Sequence, residues 1–152
     1  MFNKNHSTPN TLPHSDRPKL LIIDDDANLC AQMKWALAQD YNVYLAEDRL
    51  SAVELVKREK PRVVLLDLGL SPRSQEVEEG FLALSEILQH DALTKVIIIT
   101  GQTEKEHALK AIRQGACDFQ CKPVQIHELK VILKRTFQIC QLEESTAKCR
   151  AD

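Results

Sequence analysis

The sequence has no long apolar run. A helix that crosses a bilayer needs about 20 consecutive apolar residues. No stretch of the 152 residues approaches that, so no membrane partner is expected. It also lacks a charge excess. Lys and Arg total 20 against 22 Asp and Glu, a formal net charge of −2. That removes the electrostatic case for nucleic acid binding by this domain itself. Met1 to Pro18 is polar, carries three prolines and has no apolar h-region, so it does not read as a secretory signal. Residues 1–18 are expected to be a disordered tail, and the cytoplasm is the expected location. The five cysteines, Cys30, Cys117, Cys121, Cys140 and Cys149, are odd in number. No second ligand pair stands near Cys117 and Cys121. All five read as small core-filling thiols in a reducing compartment. His6, His14, His90, His107 and His127 show no ligand spacing. There is no internal repeat and no low-complexity segment.

What is present is a set of short apolar runs that end in polar residues. Val63-Val64-Leu65-Leu66 stops at Asp67. Leu20-Leu21-Ile22-Ile23 stops at Asp24-Asp25-Asp26, and Val96-Ile97-Ile98-Ile99 stops at Thr100. Runs this short and this rich in branched residues read as strands buried on both faces, as in a parallel sheet. Between them lie helical stripes. The first helix is expected over 27–39 with Leu29, Met33 and Leu37 on one face and Asp26 as N-cap. Strand 42–46 follows, with Val43 and Leu45 on one face, and then helix 49–59, capped by Asp48 and stopped by Pro61. Ser71 to Gly80, polar and acidic and punctuated by Pro and Gly, reads as a loop that is long for a compact α/β unit. Helix 80–89, strand 95–100, helix 104–114 with Gly115 as its C-cap, strand 116–120 and a helix from about Gln125 complete the chain. Gln141 to Asp152 either continues that helix or frays.

Five βα repeats imply a parallel sheet with right-handed crossovers. The flavodoxin-like (βα)5 order 2-1-3-4-5, with helices on both faces, fits the length. Strands one and three then meet at the switch point, where ligands gather outside the carboxyl ends. Asp24, Asp25 and Asp67 would converge there. Three carboxylates in one place repel one another, and the usual relief is a hard divalent cation; Mg2+ suits such a set. Thr100 adds a hydroxyl and Lys122 a cationic arm. Together they make a place for a phosphoryl group, and Asp67 is the candidate nucleophile for an aspartyl phosphate.

These motifs, Ile22-Ile23-Asp24-Asp25-Asp26, Leu65-Leu66-Asp67-Leu68-Gly69-Leu70, Ile99-Thr100-Gly101 and Gly115 through Pro123, resemble those of receiver domains of two-component response regulators. The resemblance covers about 19–140, which leaves 141–152 as a helical extension or linker. It implies that Asp67 takes a phosphoryl group from a sensor histidine kinase. It implies Mg2+ ligation by Asp24, Asp25, Asp67 and the Gly69 carbonyl, with Asp25 the more direct of the acidic pair. Thr100 and Lys122 would contact the phosphoryl oxygens. Thr100 and Phe119 would form the switch, and the bond preceding Pro123 would be cis. The α4-β5-α5 face would carry the signal, and phosphorylation is expected to promote a homodimer.

The chain departs from the family pattern where Ser71 holds the usual Pro position and Gly80 arrives late. Asp-Leu-Gly-Leu with this lengthened acidic loop resembles the PEP-CTERM-associated regulators. Those are sigma-54-type transcriptional activators, with an ATPase and a DNA-binding output domain beyond the receiver. On this reading the only chemistry is self-phosphotransfer and autodephosphorylation: a signalling switch, not an enzyme. Two other classes remain open. Asp24-x-Asp26 mimics the nucleophile motif of haloacid-dehalogenase-type hydrolases, and a receiver fold can also serve as a phosphate-independent interaction module.

Overall fold

The computed structural model describes residues 16–69, 76–101 and 103–151. Five strands alternate with five helices: β1 (Lys19–Ile23), α1 (Ala27–Leu37), β2 (Asn42–Ala46), α2 (Arg49–Glu59), β3 (Val63–Asp67), α3 (Glu76–His90), β4 (Lys95–Thr100), α4 (Lys105–Arg113), β5 (Asp118–Cys121) and α5 (Ile126–Ala151). The strands form one sheet in the order β2-β1-β3-β4-β5, with every pair parallel. This is the flavodoxin-like order expected from the βα alternation.

Strand side chains point alternately to the two faces, and here both faces are covered. Leu21, Ile23, Val64, Leu66, Val96 and Ile98 pack with Ala52 and Val56 of α2, Leu84 and Ile87 of α3 and Ala111 of α4. Leu20, Ile22, Val63, Leu65, Ile97 and Ile99 pack with Met33 and Leu37 of α1 and Leu129, Leu133 and Phe137 of α5. That is why the central strands read as unbroken apolar runs. Each such side chain contributes about 2 kcal/mol by burial. Tyr41 stacks on Phe137, ring centroids 4.9 Å apart. β2 is one of the two edge strands, and of Val43 and Leu45, expected on one face, Val43 packs against the core while Leu45 is exposed.

Local signals explain several boundaries. The Asp26 carboxylate accepts the Asn28 and Leu29 N–H groups, so it is the N-cap of α1. Asp48 and Ser51 form a reciprocal capping box at α2. Gly115, with φ +112°, takes the left-handed position just past α4, where an added Cβ would lie 2.8 Å from Leu88 Cδ1.

Three expectations are corrected. α3 starts at Glu76 rather than Gly80, so the last part of the expected loop Ser71–Gly80 is helix; residues 70–75 of that loop lie outside the described residues. Acidic residues at a helix amino end are favoured by the macrodipole, and that outweighs the breaking tendency of Gly80. Gly80 itself is needed for close approach: a Cβ there would lie 2.9 Å from the Leu68 carbonyl oxygen and 3.0 Å from its Cα. Arg17 and Pro18 do not belong to a loose tail, because Arg17 Nη1 donates to the Ala38 carbonyl at 2.6 Å and the Pro18 carbonyl accepts from Asn42 N–H at 2.8 Å. Residues 1–15 of the expected tail lie outside the described residues. The phase of β5 also moves, from 116–120 to Asp118–Cys121.

At its far end α5 runs on to Ala151. Glu143 and Glu144 tie this part to Lys95 and Arg62 at the amino edge of the sheet, each at 2.8 Å.

Gly80→Ala provides a test of the α3 contact. Alanine in a helix interior normally gains about 1 kcal/mol over glycine. Here the overpacking against Leu68 is expected to reverse the sign and cost about 1–3 kcal/mol, measured by urea denaturation. A more stable variant would show that α3 is not seated on Leu68.

Candidate functional site

Parallel in-register pairing brings the strand ends level. Ile23 pairs with Leu66 and Asp67 with Ile99, while Thr100 pairs with Cys121. Asp24, Asp67, Thr100 and Lys122 are therefore gathered at the carboxyl edge, from four strands that are adjacent in space and distant in sequence. Carboxylate oxygens of Asp24, Asp25 and Asp67 lie within 4.8 Å of one another. Asp24 and Asp67 are buried, 1% and 3% exposed, whereas Asp25 is open to solvent.

The Asp67 oxygens are both engaged. Oδ1 accepts the Gly69 N–H at 2.9 Å, and Oδ2 accepts from Lys122 Nζ at 2.7 Å. Asp24 Oδ1 accepts the Asp26 N–H at 2.9 Å, but its Oδ2 is buried with no hydrogen-bond partner. Beneath Asp24, the Cys30 thiol donates to its backbone carbonyl at 3.4 Å. Thr100 is buried, and its hydroxyl donates to the Glu104 carbonyl at 3.4 Å, a long contact. The Lys122 N–H donates to the Thr100 carbonyl at 2.7 Å, and the Lys122–Pro123 peptide is cis.

Burial pushes the Asp24 carboxyl up from the usual carboxylate range to about 6. The Asp67 charge adds to that rise, and the Asp26 N–H and Lys122 oppose it. Burial alone would pull Lys122 down. Its hydrogen bond to Asp67 and the charges of Asp67, Asp24 and Asp25 outweigh that, so Lys122 is held above the ordinary lysine value and stays charged.

The donor set fits a hard divalent cation. All three side chains offer oxygen, the charges are anionic, and one buried oxygen lacks a partner. Gly69 is placed beside the set through its N–H bond to Asp67. Phe119 is half-buried and packs against the cluster under α2, α3 and α4, not among the carboxylates. A groove of about 630 Å3 between α3 and α4, lined by Phe81, Leu88, Lys110 and Gln114 among others, includes none of the site residues. Its Phe81 ring lies under Lys110 Nζ and edge-on to His107.

Residues 20–134 match the family model described as the response regulator receiver domain. The chain belongs to that family. The receiver is 33% identical over 127 residues to the regulatory protein AtoC of Escherichia coli strain K12, covering 83% of this chain and 26% of AtoC. It is 30% identical over 120 residues to the chemotaxis protein CheY of Bacillus subtilis strain 168, covering 78% of this chain and 96% of CheY. Among solved structures, the signal receiver domain of a putative LuxO repressor protein from Vibrio parahaemolyticus matches with a TM-score of 0.75 and 29% identity. That match covers 86% of this chain and 97% of the other. The receiver spans between 26% and 53% of the length of the first curated regulators it matches. Among the described residues no helix is long and apolar enough to cross a membrane.

The raised Asp24 value has a consequence for metal-free protein. A carboxyl whose folded-state pKa of about 6 exceeds the ordinary 3.8 lets the folded state hold the proton more tightly. Its stabilising contribution is present at low pH and is lost as pH rises through 6. In EDTA, the melting temperature of the parent is expected to fall relative to Asp24→Asn between pH 4 and pH 7, and added Mg2+ is expected to oppose the fall. A difference between the two proteins that does not change with pH would contradict this account.

Proposed function

We propose that this receiver accepts a phosphoryl group on Asp67 in a Mg2+-dependent reaction with a sensor histidine kinase, and that the resulting aspartyl phosphate controls an output domain that regulates transcription. The observation that carries the reading is the buried Asp67 carboxylate, held at 2.7 Å by Lys122 within a cluster of three carboxylates at the sheet edge. Asp24, Asp25, Asp67 and the Gly69 carbonyl are the proposed ligands. The cation, when bound, neutralises the carboxylates and the incoming phosphoryl oxygens.

An Asp67 oxygen attacks phosphorus, a P–O bond forms, and the P–N bond to the donor histidine breaks. Asp67 exchanges its carboxylate charge for an acyl phosphate, a mixed anhydride. Lys122 thereby loses its partner and turns to the phosphoryl oxygens. The Thr100 hydroxyl gives up only a long bond to the Glu104 carbonyl, so its turn toward phosphate costs little. Phe119 is proposed to follow Thr100 and to change the α4-β5-α5 face. The proposed chemistry ends with self-phosphotransfer and autodephosphorylation. Family membership and the lack of a separate cap among the described residues speak against the hydrolase alternative.

The sequence likeness to PEP-CTERM-associated sigma-54-type regulators supports ATPase and DNA-binding output domains beyond this chain, and a cytoplasmic location. The proposed division is a receiver over 19–140 followed by a helical extension over 141–152.

Intact-protein mass after incubation with acetyl phosphate and Mg2+ tests the acceptor. One added phosphoryl group is expected on the parent and none on Asp67→Asn or on a metal-free sample. If no adduct forms, and beryllofluoride shifts no spectrum, the domain acts as a phosphate-independent interaction module. Sedimentation with and without beryllofluoride tests the proposed dimer, which is expected only with the mimic; an identical species in both would remove that idea.

A further inference from the structure

We propose that Arg49 is a positioning residue for Asp67: it clamps the amino-terminal turn of α3 onto the peptide that follows the phosphoryl acceptor. This rests on the receiver reading given above. Arg49 opens α2 at the same edge of the sheet as the carboxylates. Its backbone is fixed by the adjoining capping box, in which Asp48 Oδ1 accepts the Ser51 N–H at 2.8 Å and the Ser51 hydroxyl at 2.7 Å. From that base the guanidinium reaches across to α3. Nε donates to Glu79 Oε2 at 2.8 Å, and Nη1 donates to Glu86 Oε1 at 2.5 Å. Glu79 and Glu86 lie two helical turns apart on one face of α3, on either side of Gly80.

That placement matters because Gly80 is a weak point in α3. Glycine costs a helix more than other residues except proline. The buried core residues of α3 among those described, Ala83, Leu84 and Ile87, all follow Gly80. Of the described side chains before it, Glu78 is exposed and Glu79 is held by Arg49. One cation thus bridges the part of the helix anchored by Ala83, Leu84 and Ile87 and a first turn with no core anchor among its described side chains.

The clamped turn in turn bears on the acceptor. Gly80 sits so close to Leu68 that a Cβ would meet its carbonyl oxygen at 2.9 Å. Leu68 is the peptide between Asp67 and Gly69, and Gly69 N–H holds Asp67 Oδ1. The line from Arg49 to Asp67 therefore runs through two ion pairs, one backbone contact and one hydrogen bond. Lysine cannot replace the clamp in full, because a point charge does not offer the two separate donors of a guanidinium fork. Ion pairs that keep partial access to solvent, as these do, add little to global stability, so loss of Arg49 should show in the geometry at Asp67 far more than in the melting temperature.

The test compares the parent, Arg49→Ala, Arg49→Lys and the double variant Glu79→Gln/Glu86→Gln. Amide hydrogen exchange in EDTA reads the clamp without any phosphoryl chemistry. Exchange in peptides covering Glu79–Phe81 and Leu68–Gly69 is expected to rise about ten-fold in Arg49→Ala and in the double variant, less in Arg49→Lys, with α5 unchanged. Uptake from acetyl phosphate at saturating Mg2+ is expected to slow about ten-fold in Arg49→Ala, the scale of a small misplacement of a reacting group. Unchanged exchange, or raised exchange with uptake equal to the parent, would overturn the proposal. So would raised exchange along the whole chain with a large drop in melting temperature. If the parent itself takes up no phosphoryl group, the receiver reading fails instead, and the exchange arm still reports on the clamp.

Discussion

Asp24 and Asp67 are pressed together by the pairing of β1 with β3, against their mutual repulsion. Nothing local to either residue would bring this about. The apolar side chains of β1, β3 and β4 are buried on both faces of the sheet, and the in-register pairing that buries them leaves the strand ends level. The core thus holds two carboxylates in a place from which water is largely excluded. Compensation is uneven. Asp67 has a partner for each oxygen, while Asp24 keeps one oxygen without any. The rise of the Asp24 pKa is the electrostatic sign of that imbalance. Of the four buried side-chain atoms without a partner among the described residues, on Asp24, Asn42, His107 and Gln120, the Asp24 oxygen alone belongs to a carboxylate, and a buried carboxylate left partly unsatisfied is most easily understood if it has a task.

The legible part of this structure was written in short-range chemistry. Four apolar residues followed by Asp67, or by Asp24, mark a strand end because a strand buried on both faces leaves no room for an earlier polar residue. Asp26 and Asp48 announce helix starts through their own side chains. The positions of Thr100 and Lys122 follow from strand order. What was not legible depended on contacts distant in sequence or on competing local tendencies. Pro72 and Gly80 suggested a loop, yet the chain is helical from Glu76, because Gly80 is used for contact with Leu68 rather than for a turn. Leu45 has the right period for burial but lies on an edge strand. Arg49 carries no motif at all: its partners stand 30 and 37 residues away. The Cys30 thiol under Asp24 belongs to the same class, as an ordinary core cysteine by sequence with an orientation set by packing.

The direction of α5 has a consequence for traffic around the molecule. This helix begins just after Lys122 and Pro123, at the edge that holds the carboxylates. It ends beyond the opposite edge, where Arg62 and Lys95 hold Glu144 and Glu143. Its last buried side chain among those described is Cys140. The 26 residues of α5 amount to a rod of about 39 Å, well over twice the length of the strands it covers, and its final turns stand clear of the sheet. A body attached to that rod is carried to the far pole of the domain, away from Asp67 and the other carboxylates.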